Sequence, residues 1–283
     1  MPGARGAVVV TGASTGIGHA TALLLDREGF TVFAGVRRNE DGEAIRERSS
    51  RRLSALSLDV TKPDSIAAAA SEVETATGGR LVGLVNNAGI AVAGPLEALP
   101  IEDFRNQIEV NLVGQVAVTQ SLLRLLRPAR GRIVFISSIG GLTASPFMAP
   151  YNASKFGIEA VGDSLRQELR GSGMHVSLVE PGAIATPIWA KGKDAALEGR
   201  KHYSADEEAR YGRALDRLAE LTEETAERGI APERVAATVL EALTADRPRT
   251  RYLVGRDARI QAALQSLLPD RLRDRLVARF MGI

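Results

Sequence analysis

The sequence TGASTGIG at residues 11–18 follows the apolar run AVVVT at residues 7–11 and precedes a helical pattern at residues 17–28 that Gly29 closes. This order predicts a buried strand, a glycine-rich turn and a helix. Glycines let the backbone approach a ligand closely, and a helix N-terminus offers free N–H groups to phosphate. The turn therefore predicts a phosphate-binding site, although a turn that only packs helix on strand would also use glycines. Its G-x-x-x-G-x-G spacing differs from the G-x-G-x-x-G fingerprint.

Strand-like and helix-like segments alternate along the rest of the chain. Further short apolar runs lie at residues 31–36, 55–58, 81–85, 132–137, 175–179 and 252–254. Helical patterns lie at residues 43–48, 63–77, 101–126, 151–170, 232–244 and 258–280. Strands without polar alternation are typical of parallel sheets buried on both faces. The pattern predicts an α/β fold, a doubly wound parallel β-sheet of about seven strands flanked by helices, as in a Rossmann fold.

Residues 186–228 interrupt this alternation with a charged, helix-prone stretch rich in Glu, Arg and Ala. Long insertions at the carboxyl ends of strands commonly carry binding functions, so we expect a helical lid over a substrate cleft. The alternative is a helical insertion on the surface that does not cover a cleft. The sequence has no internal repeat or linker, and we expect one dinucleotide-binding and catalytic domain over residues 1–283.

The composition excludes several classes of protein. The 283 residues include no cysteine, which excludes disulfides, thiolate metal sites and cysteine nucleophiles. The 36 basic residues nearly balance the 34 acidic ones and are interspersed with them, so we expect no nucleic-acid partner. The three histidines, His19, His175 and His202, are scattered, and we expect no metal site. No apolar run suffices for a signal peptide or a spanning helix, so we expect a cytoplasmic protein without stable membrane insertion.

A tyrosine and a lysine form a candidate catalytic pair. Tyr151 and Lys155 are four residues apart in a helical pattern, which places them on one helix face. A nearby ammonium lowers the pKa of a phenol, so that the tyrosine can serve as general base or general acid at neutral pH. The chain has only five lysines, and Lys155 is the one between Lys62 and Lys191. We therefore interpret Lys155 as a functional residue.

Two further motifs extend the pair. NNAG at residues 86–89 follows the fourth predicted strand, Ser138 follows the fifth, and YNASK occupies residues 151–155. Together with TGASTGIG, these motifs resemble the short-chain dehydrogenase/reductase family, in its YxxxK branch, over about residues 5–187. The segment GRIVFISSIGGLTASPFMAPYNASKFGIEA at residues 131–160 is most similar to the 17β-hydroxysteroid and retinol dehydrogenase group of that family.

The resemblance completes a catalytic set of Asn111, Ser138, Tyr151 and Lys155. Ser138 lies at the carboxyl end of a strand, where such sheets bind substrates, and its hydroxyl would polarise the substrate oxygen. Alternation along the strand turns Ser137 to the other face. The resemblance implies that Asn111 holds a water molecule that links Lys155 to solvent, although a mid-helix asparagine has structural explanations too. No G-x-S-x-G elbow surrounds Ser138, which argues against a serine hydrolase.

The end of the second predicted strand indicates the cofactor. NAD-binding sites commonly place an acidic side chain there, whereas an arginine accommodates the 2′-phosphate of NADP. Here the sequence has Arg37 and Arg38 and no acidic residue, so we favour NADP(H) over NAD(H). The alternative is that both arginines are solvated and contact no cofactor.

Further cofactor contacts follow from the glycine turn and from the resemblance. The turn would supply Gly12, Ser14, Thr15, Gly16, Ile17 and Gly18. By resemblance, Asp59 and Val60 would hold the adenine, and Asn87, Ala88 and Gly89 would line the ribose side. The PGAIAT segment at residues 181–186 resembles the family's PG motif, in which Pro181 and Gly182 precede the nicotinamide contacts Ile184 and Thr186.

Apolar residues indicate the substrate. We expect the substrate wall to come from residues 140–150, from those after Thr186 and from the lid. The predicted contacts are Ser138, Leu142, Phe147, Met148, Tyr151, Ile188 and Trp189. Trp189 could equally be a structural plug. These residues favour a hydrophobic secondary alcohol, ketone or aldehyde that is steroid-, retinoid- or lipid-like.

The alternatives to this oxidoreductase are a catalytically silent NADP-binding sensor and a β-ketoacyl thioester reductase. An intact catalytic set argues against the sensor. From the family we expect a homodimer or homotetramer that associates through the helices at about residues 101–126 and 151–170.

Overall fold

The computed structural model describes residues 5–283, and within them seven strands form one parallel sheet in the order β3-β2-β1-β4-β5-β6-β7. The strands are β1 Ala7–Val10, β2 Thr31–Val36, β3 Leu53–Ser57, β4 Gly83–Asn86, β5 Arg132–Ile136, β6 His175–Pro181 and β7 Arg251–Val254. The predicted doubly wound α/β sheet is confirmed. The chain moves outward in one direction from β1 to β3 and in the other from β4 to β7, so the strand order reverses between β1 and β4.

Helices connect the strands on both sides. Those before β6 are α1 Gly16–Arg27, α2 Asn39–Arg46, α3 Pro63–Thr77, α4 Ile101–Ile108, α5 Gly114–Leu126 and α6 Ala149–Glu168. Those after it are α7 Pro187–Arg200, α8 Ala205–Arg228, α9 Pro232–Thr244, α10 Arg256–Leu267 and α11 Asp270–Met281.

The strands are apolar because they contribute to two cores. Successive residues of a strand point to opposite faces of the sheet. Val9 of β1 packs with Leu84, Phe135 and the helices α3 and α5 on one face. Val8 and Val10 pack with the helices α1 and α9 on the other. Burial of both faces explains why none of the central strands alternates with polar residues.

Two helical segments differ from the sequence prediction, and the helix-prone stretch at residues 186–228 consists of two helices. The predicted helix 101–126 is interrupted by a π-helical turn at Glu109–Val113. The predicted tail 258–280 is two helices, because Pro269 ends α10 and the preceding Leu268 takes extended angles (φ −98°, ψ 137°). Residues 186–228 form α7 and α8, and Ser204 caps α8 by accepting a hydrogen bond from the Glu207 amide at 3.2 Å.

Across residues 5–283, the helices lack the combination of length and apolar character that a bilayer crossing needs. In the same range, no three histidine, aspartate or glutamate side chains gather in an arrangement that could hold a metal ion.

Candidate active site

A cleft of about 450 Å³ lies at the carboxyl ends of the strands. Ligands of open α/β sheets bind at this edge, where the strand order reverses. Most of the predicted cofactor contacts line the cleft: Gly12, Ser14, Thr15, Gly16, Ile17, Arg37, Asp59, Val60, Asn87, Ala88, Gly89, Pro181, Gly182, Ile184 and Thr186. It is also lined by Ser138, Tyr151, Lys155, Ile188 and Trp189. One cavity therefore brings together residues that are up to 191 positions apart in the sequence, from Gly12 to Tyr203.

The glycine turn after β1 is held against the segment that follows β4. The Thr11 hydroxyl accepts hydrogen bonds from the backbone amides of Asn87 and Ala88, both at 2.9 Å. The Asn87 amide group donates to the carbonyl oxygens of Thr11 at 2.9 Å and Gly12 at 3.0 Å. Thr11 is a structural residue that the motif analysis missed, although its place at the head of the glycine turn was a signal.

Gly12 and Gly18 both lie close to neighbouring atoms, and an added Cβ would collide with them. Gly12 has a φ of +64°, and a Cβ there would lie 2.8 Å from the Ala88 Cα atom. Gly18 does not line the cleft, and a Cβ there would collide with the Asn87 amide and the Gly12 carbonyl oxygen. Gly18 as a cofactor contact therefore stays a prediction, and in the structure this glycine permits the close packing of α1 on the turn.

The two arginines after β2 differ in their surroundings. Arg38 donates from Nε and Nη2 to the Asp41 carboxylate at 3.0 and 2.8 Å. Arg37 lines the cleft. Burial raises the pKa of the Asp59 carboxyl, but hydrogen bonds from Thr61 and nearby positive charges outweigh it and lower the pKa. A charged carboxylate there accepts from the Thr61 amide at 3.0 Å and hydroxyl at 2.7 Å.

Three catalytic candidates meet where β5 faces α6. Ser138, Tyr151 and Lys155 are each at most 6% exposed, and all three line the cleft. The Ser138 hydroxyl accepts a hydrogen bond from the Gly140 amide at 3.0 Å. Lys155 donates from Nζ to the Ile136 carbonyl oxygen at 2.8 Å, and this ammonium lies 5.7 Å from the centroid of the Tyr151 ring.

Burial controls the ionisation of the tyrosine–lysine pair. It raises the pKa of Tyr151, and a hydrogen bond from Ser138 opposes the shift only in part. It lowers the pKa of Lys155 to about 8, against the charge of Glu159. The expectation that Lys155 depresses the tyrosine pKa is therefore corrected. The phenol loses its hydration inside the protein, and the Lys155 ammonium bonds to a carbonyl oxygen instead of the phenol.

Asn111 is buried in the π-helical turn and does not line the cleft. Its Oδ1 accepts from the Ile90 amide at 2.8 Å, and its Nδ2 donates to the Ile90 carbonyl oxygen at 3.0 Å and the Ser154 hydroxyl at 3.3 Å. Gln107 holds the same loop, accepting from the Val92 amide at 2.7 Å. Asn111 therefore bonds to the loop after β4 and not to Lys155, and its part in a proton relay stays a prediction.

The residues predicted as substrate contacts do not all line the cleft. None of residues 139–150 lines the cleft, so Leu142, Phe147 and Met148 stay predicted contacts that the cavity lining does not include. Phe147 packs edge-on against Tyr211 of α8, with ring centroids 6.1 Å apart. Met148 packs in a small core with Tyr151 and Trp189.

The loop after β4 supplies apolar residues to the lining of the cleft. It contributes Ala91, Val92, Ala93, Ala98 and Leu99 to the lining. From the opposite side α7 contributes Ile188 and Trp189, and the Trp189 ring lies 5.6 Å from the Tyr151 ring. The sequence analysis missed this loop, although its run of apolar residues directly after NNAG was a signal.

The cleft fits a dinucleotide. Gly12 and Gly16 line the cleft with positive φ angles, so the turn presents backbone without side chains, a cradle that a phosphate can approach closely. The N-terminus of α1 faces that cradle through Thr15 and Gly16, and helix N-termini stabilise phosphate. Arg37 at the far end matches a further phosphate in chemistry.

Comparisons with known proteins agree with this geometry. Residues 6–196 match the family model described as short chain dehydrogenase. The chain is 36% identical to the NADPH-dependent 3-dehydrocapnine reductase of Ornithobacterium rhinotracheale over 95% of this chain and 94% of that one. It is 40% identical to 17-beta-hydroxysteroid dehydrogenase type 6 of Bos taurus, over 96% and 87% of the two chains. A crystal structure of a short-chain dehydrogenase from Streptomyces avermitilis superimposes with a TM-score of 0.79 at 30% identity, covering 98% and 96%.

Proposed function

The chain belongs to the short chain dehydrogenase family and is an oxidoreductase acting on CH–OH groups, and on that premise we propose that it transfers hydride between NADP(H) and a hydrophobic alcohol, ketone or aldehyde. The observation that carries the proposal is the cleft itself. One end contains the glycine cradle and Arg37, and the other contains Ser138 and Tyr151 beside apolar walls. A steroid-, retinoid- or lipid-like substrate suits those walls.

The protonation states favour reduction of a carbonyl. NADP(H), when bound, supplies or accepts the hydride. Because burial raises the pKa of Tyr151, its phenol keeps a proton at neutral pH and can give it to a carbonyl oxygen. The Gly140 amide occupies one acceptor site of the Ser138 hydroxyl, whose hydrogen is then available to the same oxygen or to Tyr151. We propose Tyr151 as the general acid and Ser138 as the group that polarises the carbonyl.

The experiment that tests this function is an NADPH-oxidation screen. The purified protein is incubated with NADPH and with ketosteroids, retinal, aliphatic ketones or β-ketoacyl esters, and absorbance reports oxidation. We expect turnover with ketosteroids or retinal. NADPH binding without oxidation across the whole panel would instead favour a sensor.

Arg37 gives a test of the cofactor. We expect Arg37→Ala to weaken NADPH binding about 10- to 100-fold, because a charge-assisted contact to the 2′-phosphate contributes roughly 1.5–3 kcal/mol. NADH binding should be nearly unchanged. Arg38→Ala is the matched control, because Arg38 is held by Asp41. Calorimetric titration of both cofactors measures the effects. Tighter binding of NADH than of NADPH by the unaltered protein would refute the NADP preference.

Trp189 gives a test of the substrate wall. We expect Trp189→Ala to raise KM for a hydrophobic ketone about tenfold, because an apolar contact and an aromatic pair with Tyr151 are lost. Trp189→Phe should retain most of the affinity. Steady-state kinetics measure KM, and thermal unfolding is followed in parallel. An unchanged KM with a lower Tm would assign Trp189 to the structural plug instead.

A further inference from the structure

A second cluster of charged groups lies directly behind Lys155. Glu159 follows Lys155 by one helical turn on α6, and Glu180 projects from the neighbouring strand β6. These carboxyl groups belong to residues only 6% and 1% exposed, and neither residue lines the cleft. Ser137, which is 3% exposed and does line the cleft, lies beside Glu159 and acts to lower the pKa of its carboxyl. The cluster is therefore separate from the dinucleotide cleft but adjacent to its lysine.

One guanidinium serves three carboxyl groups. Arg251 Nη2 lies 3.0 Å from Glu159 Oε2 and 2.8 Å from Asp163 Oδ2, and its Nε lies 3.1 Å from Glu180 Oε1. Asp163 is more exposed and is also bonded by Arg166 at 2.9 Å. The buried carboxyl groups of Glu159 and Glu180 therefore share the single charge of Arg251, which leaves one buried negative charge to be balanced.

Two buried oxygens show the imbalance. In residues 5–283, Glu159 Oε1 has no hydrogen-bond partner. Glu180 Oε1 lies 3.1 Å from Arg251 Nε, but the angle between them does not allow a hydrogen bond. Two ionised carboxylates cannot donate to each other, so the pair needs a proton or a second cation. Burial, and then the charge of Glu159, raises the pKa of Glu180 to about 7. Near neutral pH, the pair can therefore release its shared proton and become doubly charged.

Lys155 is a second cation on which the pair can act, because the charge of Glu159 reaches its ammonium. Its ammonium faces the Ile136 carbonyl oxygen, the Tyr151 ring and the charge of Glu159. Beyond Glu159 lie Glu180 and Arg251, from β6 and β7. We propose that Glu159 and Glu180 are positioning residues whose shared negative charge keeps the Lys155 ammonium charged in the buried site. Arg251 holds the two carboxyl groups in place. The catalytic consequence rests on the proposed function.

The test measures the protonation of Lys155 directly. The protein is labelled with lysine carrying ¹³C at Cε, and the NMR signals of its five lysines are followed from pH 6 to 11. The signal that disappears in Lys155→Met belongs to Lys155. We expect Glu159→Gln to lower the midpoint of this signal by about one pH unit, because an opposite charge within one helical turn is lost. Glu180→Gln should lower it in the same direction.

The control is Glu168→Gln, which removes an exposed carboxylate from the same helix and should leave the midpoint unchanged. Circular dichroism establishes that each variant is folded, and Glu180→Gln decides if Glu159→Gln does not fold. An unaltered Lys155 midpoint in the folded glutamine variants would overturn the proposal.

Kinetics separate this inference from the proposed function. With a carbonyl substrate, the alkaline limb of kcat/KM should move to lower pH by the same amount in Glu159→Gln and not in Glu168→Gln. If the unaltered protein reduces no carbonyl compound, the proposed function fails, while the NMR titration still decides the role of the two glutamates.

Discussion

Tyr151→Phe is expected to lower kcat for carbonyl reduction by about 10³-fold and to leave NADPH binding nearly unchanged. General acid catalysis by a positioned side chain contributes roughly 10²- to 10⁴-fold, and the variant lacks the proton that reaches the substrate oxygen. The ring remains, so its packing against Trp189 and Met148 is retained. Single-turnover kinetics and calorimetric titration with NADPH measure the two quantities.

The matched control for this loss is Tyr211→Phe. Tyr211 lies on α8, packs against Phe147 and does not line the cleft, so removing its hydroxyl should leave kcat unchanged. Retention of wild-type turnover by Tyr151→Phe would refute the general-acid assignment. Equal losses in both variants would show a general disturbance of the fold.

Gly18→Ala should destabilise the protein by about 3 kcal/mol and weaken dinucleotide binding about 100-fold. The added Cβ meets the Asn87 amide and the Gly12 carbonyl oxygen, and neither is the free end of a flexible side chain. Overpacking of this kind costs roughly 1–3 kcal/mol. Relief of the collision moves α1 away from the turn, and the phosphate cradle is disturbed with it. Urea unfolding gives the free energy, and NADPH titration gives the affinity.

Gly29→Ala is the control at the other end of α1. Gly29 has a φ of +89° and no atom within 4 Å of an added Cβ. The substitution costs about 1–2 kcal/mol in backbone strain alone and should leave NADPH affinity unchanged. If Gly18→Ala bound NADPH as tightly as Gly29→Ala, the close packing of the turn would not matter to the cofactor site.

Lys155 shows how the structure altered an interpretation that rested on spacing. The interval of four residues predicted a shared helix face, and Tyr151 and Lys155 do lie together on α6. It could not reveal the degree of burial, which raises the pKa of the tyrosine and lowers that of the lysine. Desolvation depends on all the surrounding elements, and those elements come from distant parts of the chain.

The sequence by itself determined the order of strands and helices, the glycine turn and the Ser138, Tyr151 and Lys155 set. Apolar periodicity and short motifs are local features of the chain, so the sequence alone reveals them. Only the tertiary structure decided that Gly18 packs against Asn87, that Asn111 holds the loop at Ile90, and that this loop lines the cleft. The same holds for the carboxyl pair behind Lys155. Each of these depends on contacts between elements distant in the chain, whose partners follow from the way the helices pack on the sheet.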